Sequence, residues 1–155
     1  MTRSRIRTAI AGIAAAVAVM IVAVPAAPAD AAVGSMTANL RVTPVEGVPG
    51  YSWVHVYGQV GMSQAEAQDL INRHYNVVIR LWGDDPASDD LLMGPYTPVV
   101  SAAYFGLSYS IANKVPNSLL NEDWGGDEIY AGVRLVQPNT TTLRSAETNR
   151  VYGSW

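Results

Sequence analysis

The chain has 155 residues, a formal net charge of −3, 49% hydrophobic residues and no cysteine. Without cysteine there are no disulfides, no thiolate metal sites and no cysteine nucleophile. The mild acidity, with bases scattered along the chain, gives no electrostatic footprint for nucleic acid or for anionic lipid.

The amino terminus predicts a cleavable secretory signal over residues 1–31. Arg3, Arg5 and Arg7 stand in front of an apolar run at 9–24, followed by Pro25, Pro28 and the small residues Ala29, Ala31 and Ala32. That is the basic, apolar and small-residue order of an export signal. The apolar run falls short of the roughly 20 residues of a membrane span, and the prolines break a helix where a span would continue. Cleavage after Ala31 leaves 124 residues, 32–155, as a single secreted domain with seven bases, twelve acids and a net charge of −5. No later stretch is long and apolar enough to span a membrane, so the cleaved product is expected to have no membrane contact.

Residues 36–42 read as a first strand, ended by Pro44 and a turn at 47–50. Residues 51–60 read as a long strand, with Trp53, His55, Tyr57 and Gln59 on one face and Val54, Val56 and Val60 on the other. Ser63 and Glu66 have capping-box spacing and open a helix through Ala65, Ala67, Leu70 and Ile71, ending near Arg73 or His74. Residues 76–83, β-branched and aromatic, predict a buried strand with Trp82 in the core or at a sheet edge. Residues 98–105 and 107–112 are strand-like, broken at Gly106. Residues 128–136 alternate, with Ile129, Ala131, Val133 and Leu135 on one face. Residues 140–145 and 148–152 can close the sheet. Seven or eight strands with one helix predict a mainly β domain: a two-sheet antiparallel β-sandwich of Greek-key type, with a small β-barrel as the alternative.

Eight of the twelve acids fall in two loops. Asp84, Asp85, Asp89 and Asp90 follow the strand at 76–83; Glu122, Asp123, Asp127 and Glu128 precede the strand at 128–136. Loops at one end of a sandwich meet in space, and calcium takes six to eight oxygen ligands from such groups. These eight residues are the candidate calcium ligands, although Asp and Gly are also the ordinary residues of tight turns. The twelve-residue EF-hand pattern does not occur. The segment 119–131 resembles the acidic loop leading into a strand of calcium-dependent C2-type sandwiches, a likeness confined to that stretch.

Four tryptophans and eight tyrosines outnumber a single phenylalanine. Trp124, set among acids and glycines, is the candidate anchor for an extracellular protein or carbohydrate partner. His55 reads as part of an aromatic patch and His74 as a helix-end residue. There is no H-x-x-x-H pair and no G-x-S-x-G elbow, so no hydrolase motif speaks. The expectation is a secreted binding or interaction module that can hold calcium in its acidic loops. An extracellular hydrolase inhibitor using a proline-stiffened loop at 94–98 or 115–118 is the alternative, and a small extracellular hydrolase the remote one.

Overall fold

The computed structural model describes residues 33–85, 88–121 and 127–155. They fold into two antiparallel sheets with one α-helix. The first sheet has the order β1-β2-β6-β5: β1 (Met36–Pro44), β2 (Tyr51–Gly61), β6 (Gly106–Pro116) and β5 (Val99–Ala103). The second runs β4-β3-β7-β8: β4 (Asp90–Tyr96), β3 (Asn76–Gly83), β7 (Asp127–Val136) and β8 (Thr142–Glu147). The short β9 (Val151–Gly153) extends it beside β7. Successive hairpins β1β2, β3β4, β5β6 and β7β8 alternate between the sheets. The centre of each sheet is therefore a long-range pair, β2 with β6 and β3 with β7.

Period-2 patterning decides what lies between the sheets. From the first come Leu40, Val54, Val56, Val60, Leu107 and Tyr109; from the second Val77, Ile79, Leu81, Ile129, Val133 and Leu135, all buried. Fully burying a side chain of this size stabilises the fold by roughly 1.5–3 kcal/mol, and this core works without covalent help. The expected faces of β2 and β7 are those observed. β3 differs from the expectation of a wholly buried strand: Val77, Ile79, Leu81 and Gly83 point inward, while Val78, Arg80 and Trp82 are only half-buried. One face of an antiparallel sheet commonly stays wet, and its outward positions can carry large side chains without entering the core.

The helix α1 (Gln64–Asn72) joins β2 to β3 across one end of the sandwich. Ser63 accepts from the Glu66 amide at 3.2 Å, and the Glu66 carboxylate accepts from the Ser63 amide at 2.7 Å. This is the expected capping box. The buried Ala67 and Leu70 close the core at this end. At the far end Tyr75 donates its amide to the Leu70 carbonyl and His74 to that of Ile71, a Schellman closure with His74 at φ 60°.

The described strands form two separate sheets and do not close into a barrel. At the edge where β1 meets β8 and β9, a side chain replaces the ladder. The Asn149 amide accepts from the Leu40 N–H at 2.9 Å and donates to the Leu40 carbonyl at 3.1 Å.

Candidate functional site

Both acidic loops spring from neighbouring strands at one end of the second sheet. Gly83 of β3 lies opposite Ile129 of β7, and the Asp84 amide donates to the Glu128 carbonyl at 2.8 Å. Several of the predicted ligands lie here with other partners. The Asp84 carboxylate pairs with the Arg150 guanidinium. Asp89 accepts from the Tyr130 hydroxyl at 2.7 Å. Asp90 is the exposed first residue of β4, Asp85 is half-buried in the loop, and Asp127 is the buried first residue of β7. Glu128, half-buried on β7, lies beside Tyr152 of β9, and its charge raises the Tyr152 phenol above the ordinary range. Glu122, Asp123 and Trp124 lie outside the described residues. Among the described residues no group of three or more His, Asp or Glu side chains is arranged to hold a metal ion.

The outer face of the second sheet carries a groove of about 460 Å³. Its plan follows from register. Gly132 of β7 stands between Arg80 of β3 and Glu147 of β8. One step toward one end are Val78, Arg134 and Ser145; one step toward the other, Trp82 lies opposite Tyr130. With no side chain at Gly132, the Trp82 indole can lie directly against the floor. A Cβ at residue 132 would come within 3.2 Å of the Trp82 Nε1. Tyr130 forms the wall toward the acidic loops. The Arg150 guanidinium sits 4.9 Å above its ring, and burial, followed by the Asp89 carboxylate, pushes its phenol up to about 12. Only two ion pairs occur among the described residues, Arg73 with Asp69 and Arg150 with Asp84. Arg80, Arg134 and Glu147 therefore border the groove without an ion-pair partner among those residues.

The set of side chains on this face is legible in outline from the alternation itself. If Ile129, Ala131, Val133 and Leu135 face inward, Tyr130, Gly132 and Arg134 must face out, and Arg80 and Trp82 follow by the same rule on β3. What sequence does not reveal is that β3 and β7 are neighbours in this register.

The outer face of the first sheet is flatter. Tyr51, Trp53 and Tyr57 are exposed along β2, and His55 stacks on Tyr57 at 4.8 Å, the expected aromatic patch. The His55 ring and the Ser110 hydroxyl share a 2.9 Å hydrogen bond. No carboxylate bonds this histidine among the described residues, so the pair lacks the third group that would orient a catalytic base. Of the proline-bearing stretches, residues 94–96 complete β4, Val115 is buried in β6, and Asn117–Leu119 forms a 3-10 turn. The most exposed apolar tip is instead the β5–β6 turn, with Tyr104 and Phe105 packed edge to face at 4.8 Å.

No protein-family model matches this chain, and no curated protein is significantly similar to it.

Proposed function

We propose that this chain is an exported binding module whose ligand lies in the groove on the outer face of the second sheet. The observation that carries this reading is the groove whose floor at Gly132 is covered by the Trp82 indole and bordered by two guanidinium groups that have no ion-pair partner among the described residues. An aromatic surface with a few convergent polar groups is the ordinary composition of a ligand site. Export is supported by the basic, apolar and small-residue order of the amino terminus. The test is an array of saccharides, peptides and small organic acids probed with the purified protein and with Trp82→Ala. A ligand held by the wild type and released by Trp82→Ala is the expected result. Ligands bound equally by both proteins would place the site elsewhere.

An ion between the acidic loops is a second reading, favoured by the contact of Asp84 with the Glu128 main chain. Asp84 and Asp89 already serve Arg150 and Tyr130, so an ion that draws on them would have to replace those contacts. Extracellular sites hold calcium with Kd of roughly 0.1–1 mM. Several millimolar calcium should then raise the Tm where magnesium at equal ionic strength does not. Equal shifts from the two ions would remove this reading.

A further inference from the structure

We propose that the ligand of this groove is a carboxylate-bearing saccharide, with a uronic acid ring against Trp82 and its carboxylate between Arg80 and Arg134. The inference rests on the groove being the binding site and adds the chemistry of its occupant.

The main chain of the two central strands beneath the groove is already used. β3 is paired on one side with β4 and on the other with β7, and β7 is paired with β3 and with β8 or β9. Over β3 and β7 an extended peptide cannot add itself as a strand, because that mode needs a free sheet edge, and the edge beside the groove lies at the outer side of β8. A ligand lying over the two central strands is held by side chains, so it has to bring its own polar groups to them.

Those side chains specify what the groups are. Arg80 lies opposite Gly132 and Arg134 is two residues along β7, so the two arginines are diagonal neighbours. Diagonal neighbours stand roughly 7–8 Å apart at their origins, within reach of one acceptor for long side chains. Guanidinium groups bind a carboxylate through paired hydrogen bonds. Glu147, on the other side of Gly132, accepts hydrogen bonds and so calls for donors such as hydroxyls. The Trp82 indole offers a flat apolar face. A uronic acid ring supplies all three: a carboxylate, several hydroxyls and an apolar ring face of C–H groups.

Charge separates this ligand from its rivals. Arg150 is committed to Asp84, and Asp89 stands behind the Tyr130 hydroxyl, so the charged side chains that line the groove itself are two positive, Arg80 and Arg134, and one negative, Glu147. The surplus of one positive charge suits a single carboxylate. A neutral sugar would leave both arginines without an acceptor. A polyphosphate would set its charge against Glu147. An acidic peptide side chain has a carboxylate but offers no hydroxyls to Glu147 and no flat ring to Trp82.

The experiment is calorimetric titration of the purified protein with a galacturonic acid disaccharide, the matching neutral galactose disaccharide and a short Glu-containing peptide. The uronate is expected to bind at least about tenfold more tightly than either of the others. Arg134 is exposed, so Arg134→Gln should fold normally, as circular dichroism will show. It should weaken uronate binding by about tenfold or more, from the loss of a charge-assisted contact, and narrow the gap to the neutral sugar. Trp82→Ala should weaken both sugars. Equal binding of the neutral sugar, preference for the peptide, or no uronate binding at millimolar concentration would each overturn the proposal. If the array has meanwhile found another ligand that Trp82→Ala releases, the groove remains the binding site and only the saccharide assignment falls.

Discussion

Two residues sit in the left-handed backbone region where glycine is the usual choice. His74 closes α1 at φ 60°, and Thr140 ends the turn between β7 and β8 at φ 71°. That turn has Pro138 and Asn139 at its centre, closed by the Thr140 amide on the Gln137 carbonyl at 2.9 Å. The Gln137 amide then bonds Thr141, and the register slips by one at Leu135 and Val136. A type I turn followed by a left-handed residue makes this bulge, and glycine suits that last position best. A left-handed residue with a Cβ costs roughly 1–2 kcal/mol, part of which glycine gives back through the entropy of the unfolded chain. Thr140→Gly should therefore stabilise the protein by about 0.5–1 kcal/mol, with His74→Gly acting in the same direction. Urea midpoints will check this, and a lower midpoint for Thr140→Gly would mean that its side chain has an unrecognised role. The reverse case is Gly58. There a Cβ would lie 2.5 Å from the Tyr109 hydroxyl, which donates to the Thr37 carbonyl at 2.6 Å. Gly58→Ala should cost about 1–3 kcal/mol by overpacking, measured the same way.

Elements were legible in the sequence where one local signal was enough. The capping box of α1 is complete within Ser63 and Glu66, and Ser63→Ala should cost about 0.5–2 kcal/mol of unfolding free energy. Alternation likewise fixed the inward faces of β2 and β7. The strand β4 was not foreseen, because Asp90, Gly94 and Pro95 are turn residues; it survives as an edge strand with an irregular register against β3, where glycine and proline are tolerated. The groove was missed for another reason. Its residues come from β3, β7 and β8, and their meeting depends on a register that no local pattern states. The candidate ion site was legible only as composition, since the pairing of Asp84 with Arg150 spans distant parts of the chain. The same holds for Asn149, which acts as a missing length of strand between β9 and β1. Asn149→Ala removes both bonds to Leu40 and should cost about 1–3 kcal/mol, since it leaves main-chain groups unpaired. If the midpoint does not move, water replaces the amide and the two sheets do not depend on this bridge.

At the scale of the whole molecule, two tyrosines tie parts of the fold together through neutral hydroxyls, and this gives the protein an alkaline limit. Tyr109 reaches from β6 past Gly58 of β2 to the main chain of β1, and burial raises its phenol well above the ordinary value. Tyr130 holds the first acidic loop to β7 through Asp89, with its phenol raised to about 12 by burial and then by that carboxylate. Both folded-state values exceed the unfolded value of about 10. Below pH 10 both states keep these protons, and the stabilisation is fully present. Above it the unfolded chain releases protons that the folded chain retains, so stability falls as pH rises. Each retained proton contributes a slope of about 1.4 kcal/mol per pH unit while that difference lasts. The prediction is a falling urea midpoint between pH 9 and 11.5. Tyr109→Phe should start lower at pH 8, because the Thr37 carbonyl loses its donor, and then fall less steeply. Tyr130→Phe should lose the part of the slope that belongs to the second sheet, and the double variant should be the flattest. Parallel curves for the wild type and the double variant would show that alkaline unfolding is driven by other groups, and that these two phenols titrate alike in the folded and unfolded chains.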